Sequence, residues 1–250
     1  MYLIGDIGNT ETKICLFDKK NKLTKKIVIK SNLINKKFIS KKLLFLKSKR
    51  KLIKNTIFSS VVPNIYKIIK SFLTYKIKIK CNELKDFKLN KIINIKVDKN
   101  QIGSDRLANA ISLSNKINNF IIVDFGTATT FDVIKNNQYL GGLIFPGINL
   151  SMETLLKNAE LIKTSKISKS NKIVNNHTSA SIQSGFYFGY LHAVNGILKQ
   201  IIKENNFKPK VYITGGLGKI FRDKIIYKPI YMEHLTLEGI KEIGNKHFYE

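Results

Sequence analysis

No tryptophan occurs in these 250 residues, cysteine occurs twice, proline four times, and only three of the 44 basic residues are arginine. Two cysteines, Cys15 and Cys81, make neither a disulfide framework nor a metal site. No run approaches the roughly 20 apolar residues that cross a bilayer. The opening MYLIGDIGNT has neither the basic start nor the small-residue cleavage site of a secretory signal, so no membrane partner and a cytoplasmic location are expected. Acidic residues are also few, 17 against 44 Lys+Arg, for a formal net charge of +27. Such a charge invites a nucleic-acid partner, but base and phosphate readers favour the planar guanidinium fork. Here lysine is spread through the whole chain beside abundant isoleucine and asparagine. All three have AT-rich codons, so a low-GC genome accounts for the bias and no specific nucleic acid is expected. Against that background, an arginine inside a motif marks a position where lysine will not serve.

What is present is enough for a folded protein: 43% apolar residues, with 15 Phe and 10 Tyr. Residues 2–7 (YLIGDI) and 12–17 (TKICLF) read as two strands around a Gly-Asn-Thr turn. Further strands are expected near Lys26–Ile29, Thr56–Val62 and Tyr75–Lys80, the last from its alternation of Ile77 and Ile79 with lysines. Helices are expected near Ile34–Leu46 and Pro63–Phe72, and residues 103–117 read as a loop running into a helix. Residues 141–147 (GGLIFPG) read as a tight turn before a helix from Ile148 to about Leu161, and Lys163–Asn176 as an exposed loop. A long helix is expected from Thr178 to about Glu204, a strand and glycine turn at 210–218, and a last helix near His234–Lys246. Gly185 and Gly189 share one face of the long helix, which reads as a packing or dimer surface.

The most informative feature is a repeat. FIIVDFGTATTFDVI at 120–134 copies the opening hairpin: Asp6-Ile7-Gly8-Asn9 aligns with Asp124-Phe125-Gly126-Thr127 at an offset of 118 residues. Two halves of this design imply a duplicated α/β architecture with a cleft between the copies. The expected division is a lobe at 1–115 and a second at 116–250. Glycine lets backbone N–H groups approach an anion, and Asn or Thr adds donors. An aspartate beside phosphates serves instead to hold a cation, or water on that cation. Two such turns suit the phosphates of a nucleotide, and a third, Thr214-Gly215-Gly216-Leu217-Gly218, leaves bare backbone for a base or ribose. Neither a P-loop nor a Rossmann fingerprint is present. Gly103-Ser104-Asp105-Arg106 completes a phosphotransferase: a carboxylate can take the proton of an attacking hydroxyl, and Arg106 offers a fixed positive charge. The same residues could merely cap a helix. The four histidines have no metal-ligand spacing.

These residues make the chain resemble the type III pantothenate kinase family, of the acetate and sugar kinase/heat-shock protein 70/actin superfamily. The resemblance runs over DIGNT at Asp6–Thr10, GSDRLANA at Gly103–Ala110, DFGTATTFD at Asp124–Asp132, GGLIFPG at Gly141–Gly147, TSASIQSG at Thr178–Gly185 and TGG at Thr214–Gly216. It implies two related ribonuclease-H-like domains of actin/sugar-kinase type, an interdomain nucleotide cleft, and phosphorylation of pantothenate by ATP. Carried over, Asp6, Ile7, Gly8, Asn9, Thr10, Glu11, Thr12 and Lys13 form the first ATP motif, Thr127 binds ATP in the second, and Gly215 and Gly216 match the adenosine motif. Asp105 matches the proton acceptor, while Gly103, Ser104 and Arg106 match the pantothenate loop. Asp124 would help hold a monovalent cation, K⁺ or NH₄⁺, alongside Mg²⁺ on the nucleotide. Thr178 matches a substrate contact delivered across the interface of a homodimer with shared active sites. The chain departs from the pattern at Lys96, where an aromatic is common, and at Asp98-Lys99, where Asn-Pro is usual. The alternatives are another small-molecule kinase of the superfamily, or a non-catalytic regulator on this fold.

Overall fold

The computed structural model describes residues 1–114, 117–158 and 167–248. In chain order, the elements of the first half are β1 (Tyr2–Ile7), β2 (Glu11–Phe17), β3 (Leu23–Lys30), α1 (Lys36–Lys42), α2 (Leu46–Lys49), β4 (Asn55–Ser60), α3 (Pro63–Ser71), β5 (Asn94–Ile95) and α4 (Ser104–Ser114). There follow β6 (Phe120–Phe125), β7 (Ala128–Lys135), β8 (Gln138–Pro146), α5 (Ile148–Asn158), α6 (Thr178–Asn205), β9 (Lys210–Thr214), α7 (Gly218–Phe221), β10 (Ile230–Tyr231) and α8 (Leu235–Phe248). The chain divides into two compact units, Met1–Lys116 with Leu235–Glu250, and Ile117–His234. The first boundary lies beside the expected one. The C-terminal helix, expected with the second lobe, instead groups with the first sheet, because α8 packs on α4 and touches β1 and β4.

The repeat read from the sequence is a repeat of topology. In unit 1 the strands run β3-β2-β1-β4, with β1 antiparallel to β2 and parallel to β4. In unit 2 they run β8-β7-β6-β9, with β6 antiparallel to β7 and parallel to β9, and β10 adds beyond β9. Beyond β4, Glu83 occupies the corresponding place through a single parallel bridge to Phe58. Near-continuous burial marks the central strands of both sheets, β1 and β6 each being buried at every position but the aspartate. Leu3, Ile7, Ile14, Leu16 and Phe58 meet Ile39, Leu43, Ile65 and Ile69 from the helices in one core. In the other, Ile121, Val123, Phe131 and Ile213 meet Tyr187, Leu191, Val194 and Leu198 of α6, which recur at helical spacing.

Two expected elements are corrected. Tyr75–Lys80 is not a strand: Phe72–Ile77 continues α3 as a π-helical turn that ends at Lys78, in the left-handed region at φ 63°. The alternation read burial correctly, since Ile77 and Ile79 are both buried, but a helix end followed by an extended segment buries them as well as a strand would. Residues 141–146 are not a turn but the body of β8, paired with β7 from Ala128↔Pro146 to Lys135↔Gln138 across a bulge. The positive φ of Gly141, 117°, lies beside that bulge. The expected helix from Ile148 is described to Asn158; its last expected residues, and the start of the expected loop at 163–166, lie outside the described residues.

Candidate active site

The first turn joins β1 to β2. Register places Asp6 opposite Lys13 on one side and beside Ser59 of β4 on the other. The Gly8 N–H is used inside the turn, donating to Glu11 O at 3.0 Å. Asn9, Thr10 and Glu11 are exposed, Asp6, Gly8 and Lys13 are half-buried, and Ile7 and Thr12 are buried, so those two could meet a nucleotide only through backbone. The second turn is built alike: Asp124 lies opposite Thr130 and beside Thr214, and Gly126 N–H donates to Ala128 O at 3.1 Å. Gly126 and Thr127 are exposed and Asp124 half-buried.

Glycine turns outside the hairpin close on this second turn. A Cβ on Gly147 would stand 2.0 Å from Thr127 O, and one on Gly215 would stand 2.5 Å from Phe125 O. Gly215 also has φ +85°, where an L side chain is strained, whereas a Cβ on Gly216 would meet open space. The backbone at Phe125 and that at Gly215, just past adjacent strand ends, thus lie in close contact.

The Gly103–Arg106 segment sits in unit 1 at the start of α4. Gly103 O accepts from Leu107 N at 3.2 Å, making Gly103 the helix N-cap, and Asp105 lies in the first turn. Asp105 Oδ1 accepts from Arg106 N at 2.8 Å. Burial pushes the Asp105 carboxyl above the ordinary aspartate range; that N–H and the Arg106 charge oppose the shift, with Lys85 last. A carboxylate so raised is a better proton acceptor than an exposed one. Val61 connects this segment to the first turn: its N–H donates to Ile7 O at 3.1 Å, and its Cγ1 lies 3.5 Å from where a Gly103 Cβ would stand.

Ser104 is 2% exposed, and its hydroxyl donates to Glu83 Oε1 at 2.6 Å. Its side chain therefore faces the protein. Sequence reading missed Glu83, which also accepts from Lys85 N at 2.6 Å, with its carboxyl pushed up by burial and held back by the Ser104 hydroxyl. Lys85 Nζ donates to Asn100 O and Lys99 Nζ to Lys85 O, each at 3.2 Å. At the departures from the family pattern, Asp98 thus closes a turn by accepting from Asn100 N at 2.9 Å, and Lys99 ties that turn to the Glu83 segment. Behind α4, a Cβ on Gly239 of α8 would stand 1.8 Å from Ala108 O, and Thr236 Oγ1 donates to Asn109 Oδ1 at 2.8 Å. Sequence reading missed this brace too. Thr178, exposed, begins α6, on which Gly185, Gly189 and Gly196 all face open space.

The donor set fits a nucleotide better than a protein-built metal cage. Among the described residues no three His, Cys, Asp or Glu side chains cluster as metal ligands. Asp6 and Asp124 each stand at a strand end beside exposed backbone, the arrangement suited to a hard cation that keeps waters and phosphate oxygens as its other ligands. Beside Asp6, Ser59 Oγ is buried with no hydrogen-bond partner.

By fold and motif this is a two-unit α/β protein of the actin and sugar-kinase type. Likeness to solved structures, which concerns the fold alone, agrees. A Campylobacter jejuni protein described as a Baf family transcriptional activator aligns at TM-score 0.61 and 20% identity, covering 99% of this chain and 100% of its own. A Sinorhizobium meliloti protein described as a 2-dehydro-3-deoxygalactonokinase aligns at TM-score 0.60 and 9% identity, with 99% of each chain covered. In sequence, a type III pantothenate kinase of Pelagibacter ubique is 45% identical over 240 residues, 96% of this chain and 97% of the relative. The family model for type III pantothenate kinase matches residues 2–200. The chain belongs to the type III pantothenate kinase family. No described helix is long and apolar enough to cross a membrane.

Proposed function

We propose that Asp105 is the proton acceptor in the reaction of this family, in which ATP phosphorylates the primary hydroxyl of pantothenate to give 4'-phosphopantothenate, the first step of coenzyme A synthesis. The hydroxyl proton passes to the Asp105 carboxylate as the oxygen forms its bond to the γ-phosphorus. The bond from that phosphorus to the β,γ-bridging oxygen breaks, and ADP leaves with the electron pair. The supporting observation is local to unit 1: a burial-raised carboxyl on the first turn of α4, with Val61 touching both its segment and the first glycine turn.

The N–H groups of Asn9 to Glu11 and of Thr127, with the Thr10 and Thr127 hydroxyls and Lys13, are assigned to the ATP phosphates, and Gly215 and Gly216 to adenosine. Developing charge on the transferred group is met by these fixed dipoles rather than by groups that must reorganise. Arg106 is assigned to the pantothenate carboxylate, and Gly103 and Ser104 to shaping its loop. Asp6 and Asp124 would hold Mg²⁺ and a monovalent cation, K⁺ or NH₄⁺, which when bound offset phosphate charge. A homodimer, with Thr178 reaching the partner's substrate and the glycine face of α6 at the interface, and a cytoplasmic location complete the reading. A coupled ADP-release assay tests it. Turnover should require pantothenate and ATP, and rise when K⁺ replaces Na⁺. ADP release with other alcohols but not with pantothenate would contradict the substrate assignment.

A further inference from the structure

We infer that Ser31, a residue outside every motif, is a positioning residue that aims the first turn's N–H groups at phosphate. The inference rests on the assignment of that turn to ATP. Sheet register delivers Ser31 to the place: β3 pairs with β2 up to Glu11↔Lys30, so the residue after Lys30 arrives beside the β1–β2 turn. Ser31 is 3% exposed. Its hydroxyl donates to Gly8 O at 2.6 Å, and its N–H donates to Thr10 O at 2.9 Å. The Ser31 hydroxyl has one proton, already given to Gly8 O. The 3.0 Å contact with Thr12 Oγ1 is therefore a bond from the Thr12 hydroxyl to Ser31 Oγ.

The consequence follows from peptide geometry. In a planar trans peptide, a carbonyl and the next residue's N–H point in opposite directions. Holding Gly8 C=O against Ser31 turns the Asn9 N–H away from it, and holding Thr10 C=O there turns the Glu11 N–H away as well. Both donors thus lie on the side of the turn away from Ser31, where the residues Asn9 and Glu11 are exposed. The same bonds keep two carbonyl oxygens off that side, where their lone pairs would repel a phosphate. One buried serine thus sets the polarity of the cradle, with the Thr12 hydroxyl holding the serine in place.

The test is Ser31→Ala in the full chain, with Asp6→Asn as a marker of the turn itself and Ile39→Val as a core change of ordinary cost. KM for ATP and the affinity for the non-hydrolysable analogue AMP-PNP should weaken about three- to tenfold in Ser31→Ala, with KM for pantothenate within about twofold. If alanine prevents folding, Ser31→Cys, which keeps a side chain of similar shape but only a weak donor, should shift ATP binding in the same direction. Unchanged ATP binding in the serine variant while Asp6→Asn weakens it would overturn the role of Ser31 and leave the turn's assignment standing. Equal shifts for both substrates, or the same shift in Ile39→Val at matched loss of thermal stability, would also overturn it. Unchanged ATP binding in Asp6→Asn as well would remove the turn's assignment, and the inference with it.

Discussion

Gly103→Ala should silence the enzyme without unfolding it, and the distances say by how much. A Cβ at position 103 would stand 2.4 Å from Asp105 Oδ1 and 3.5 Å from Val61 Cγ1. Only the carboxylate contact is too short. Relieving it to an ordinary van der Waals separation of about 3.4 Å moves the carboxylate oxygen by about 1 Å. The backbone of Gly103 is not in the left-handed region, so alanine adds no strain there, and it removes freedom from the unfolded chain. Because the displaced atom ends a flexible side chain, the cost in stability is small. The cost in turnover is not, since about 1 Å of misplacement at a reacting group is worth on the order of 100-fold. The assay is steady-state ADP release with ATP and pantothenate both varied, alongside a thermal melt. A fall in kcat of about 100-fold with Tm within a few degrees is expected. A kcat within threefold of wild type would refute the placement of Asp105 at the chemistry. A collapse in Tm would refute the claim that only the carboxylate has to move.

Gly239→Ala should behave in the opposite way, losing stability first: its Cβ would enter the Ala108 carbonyl at 1.8 Å, so α4 and α8 must separate, at about 1–3 kcal/mol in denaturant titration. Gly196→Ala, whose Cβ meets nothing within 4 Å on a helix, is the contrasting control and should stabilise by about 0.5–1 kcal/mol. Equal effects at the two positions would mean that the close approach of α4 and α8 carries no energy. Gly215→Ala combines strain at φ +85° with a Cβ 2.5 Å from Phe125 O, so Tm should fall and KM for ATP rise while KM for pantothenate stays put. A rise in both KM values together would detach Gly215 from the nucleotide.

The parts of the molecule legible in the sequence are those whose cause is local. Asp6-Ile7-Gly8-Asn9 and Asp124-Phe125-Gly126-Thr127 announce hairpin turns by residue type, and their offset of 118 residues announces the duplicated strand order. Pro63 and Gly103 mark helix starts for equally local reasons. What stayed hidden depends on partners distant in the chain. Ser31 and Glu83 are ordinary polar residues until sheet pairing carries them 23 residues to Gly8 and 21 to Ser104. Gly239 reads as a weak point in a helix until Ala108 is seen beneath it. The π-helical turn at Phe72–Ile77 went astray because hydrophobic spacing reports burial, and more than one backbone path buries the same side chains. The strand through Gly141–Pro146 went astray because its glycines and proline read as turn residues, while its pairing with β7 is set by the fold.

The central claim is that the Asp105 carboxylate, raised by burial, takes the substrate's proton. Asp105→Asn keeps an oxygen to accept from Arg106 N and removes the base. A carboxyl whose pKa is higher in the folded than in the unfolded protein favours folding at low pH, and that contribution is lost as pH rises through the folded value. Asparagine escapes this loss, so at neutral pH the variant should melt no lower than wild type, and any advantage should shrink as the pH falls through the raised pKa. The decisive measurement is kcat of Asp105→Asn beside its binding of pantothenate and AMP-PNP. A drop of about 10²–10⁴-fold in kcat with both ligands still bound is expected. Turnover within threefold of wild type would contradict the account.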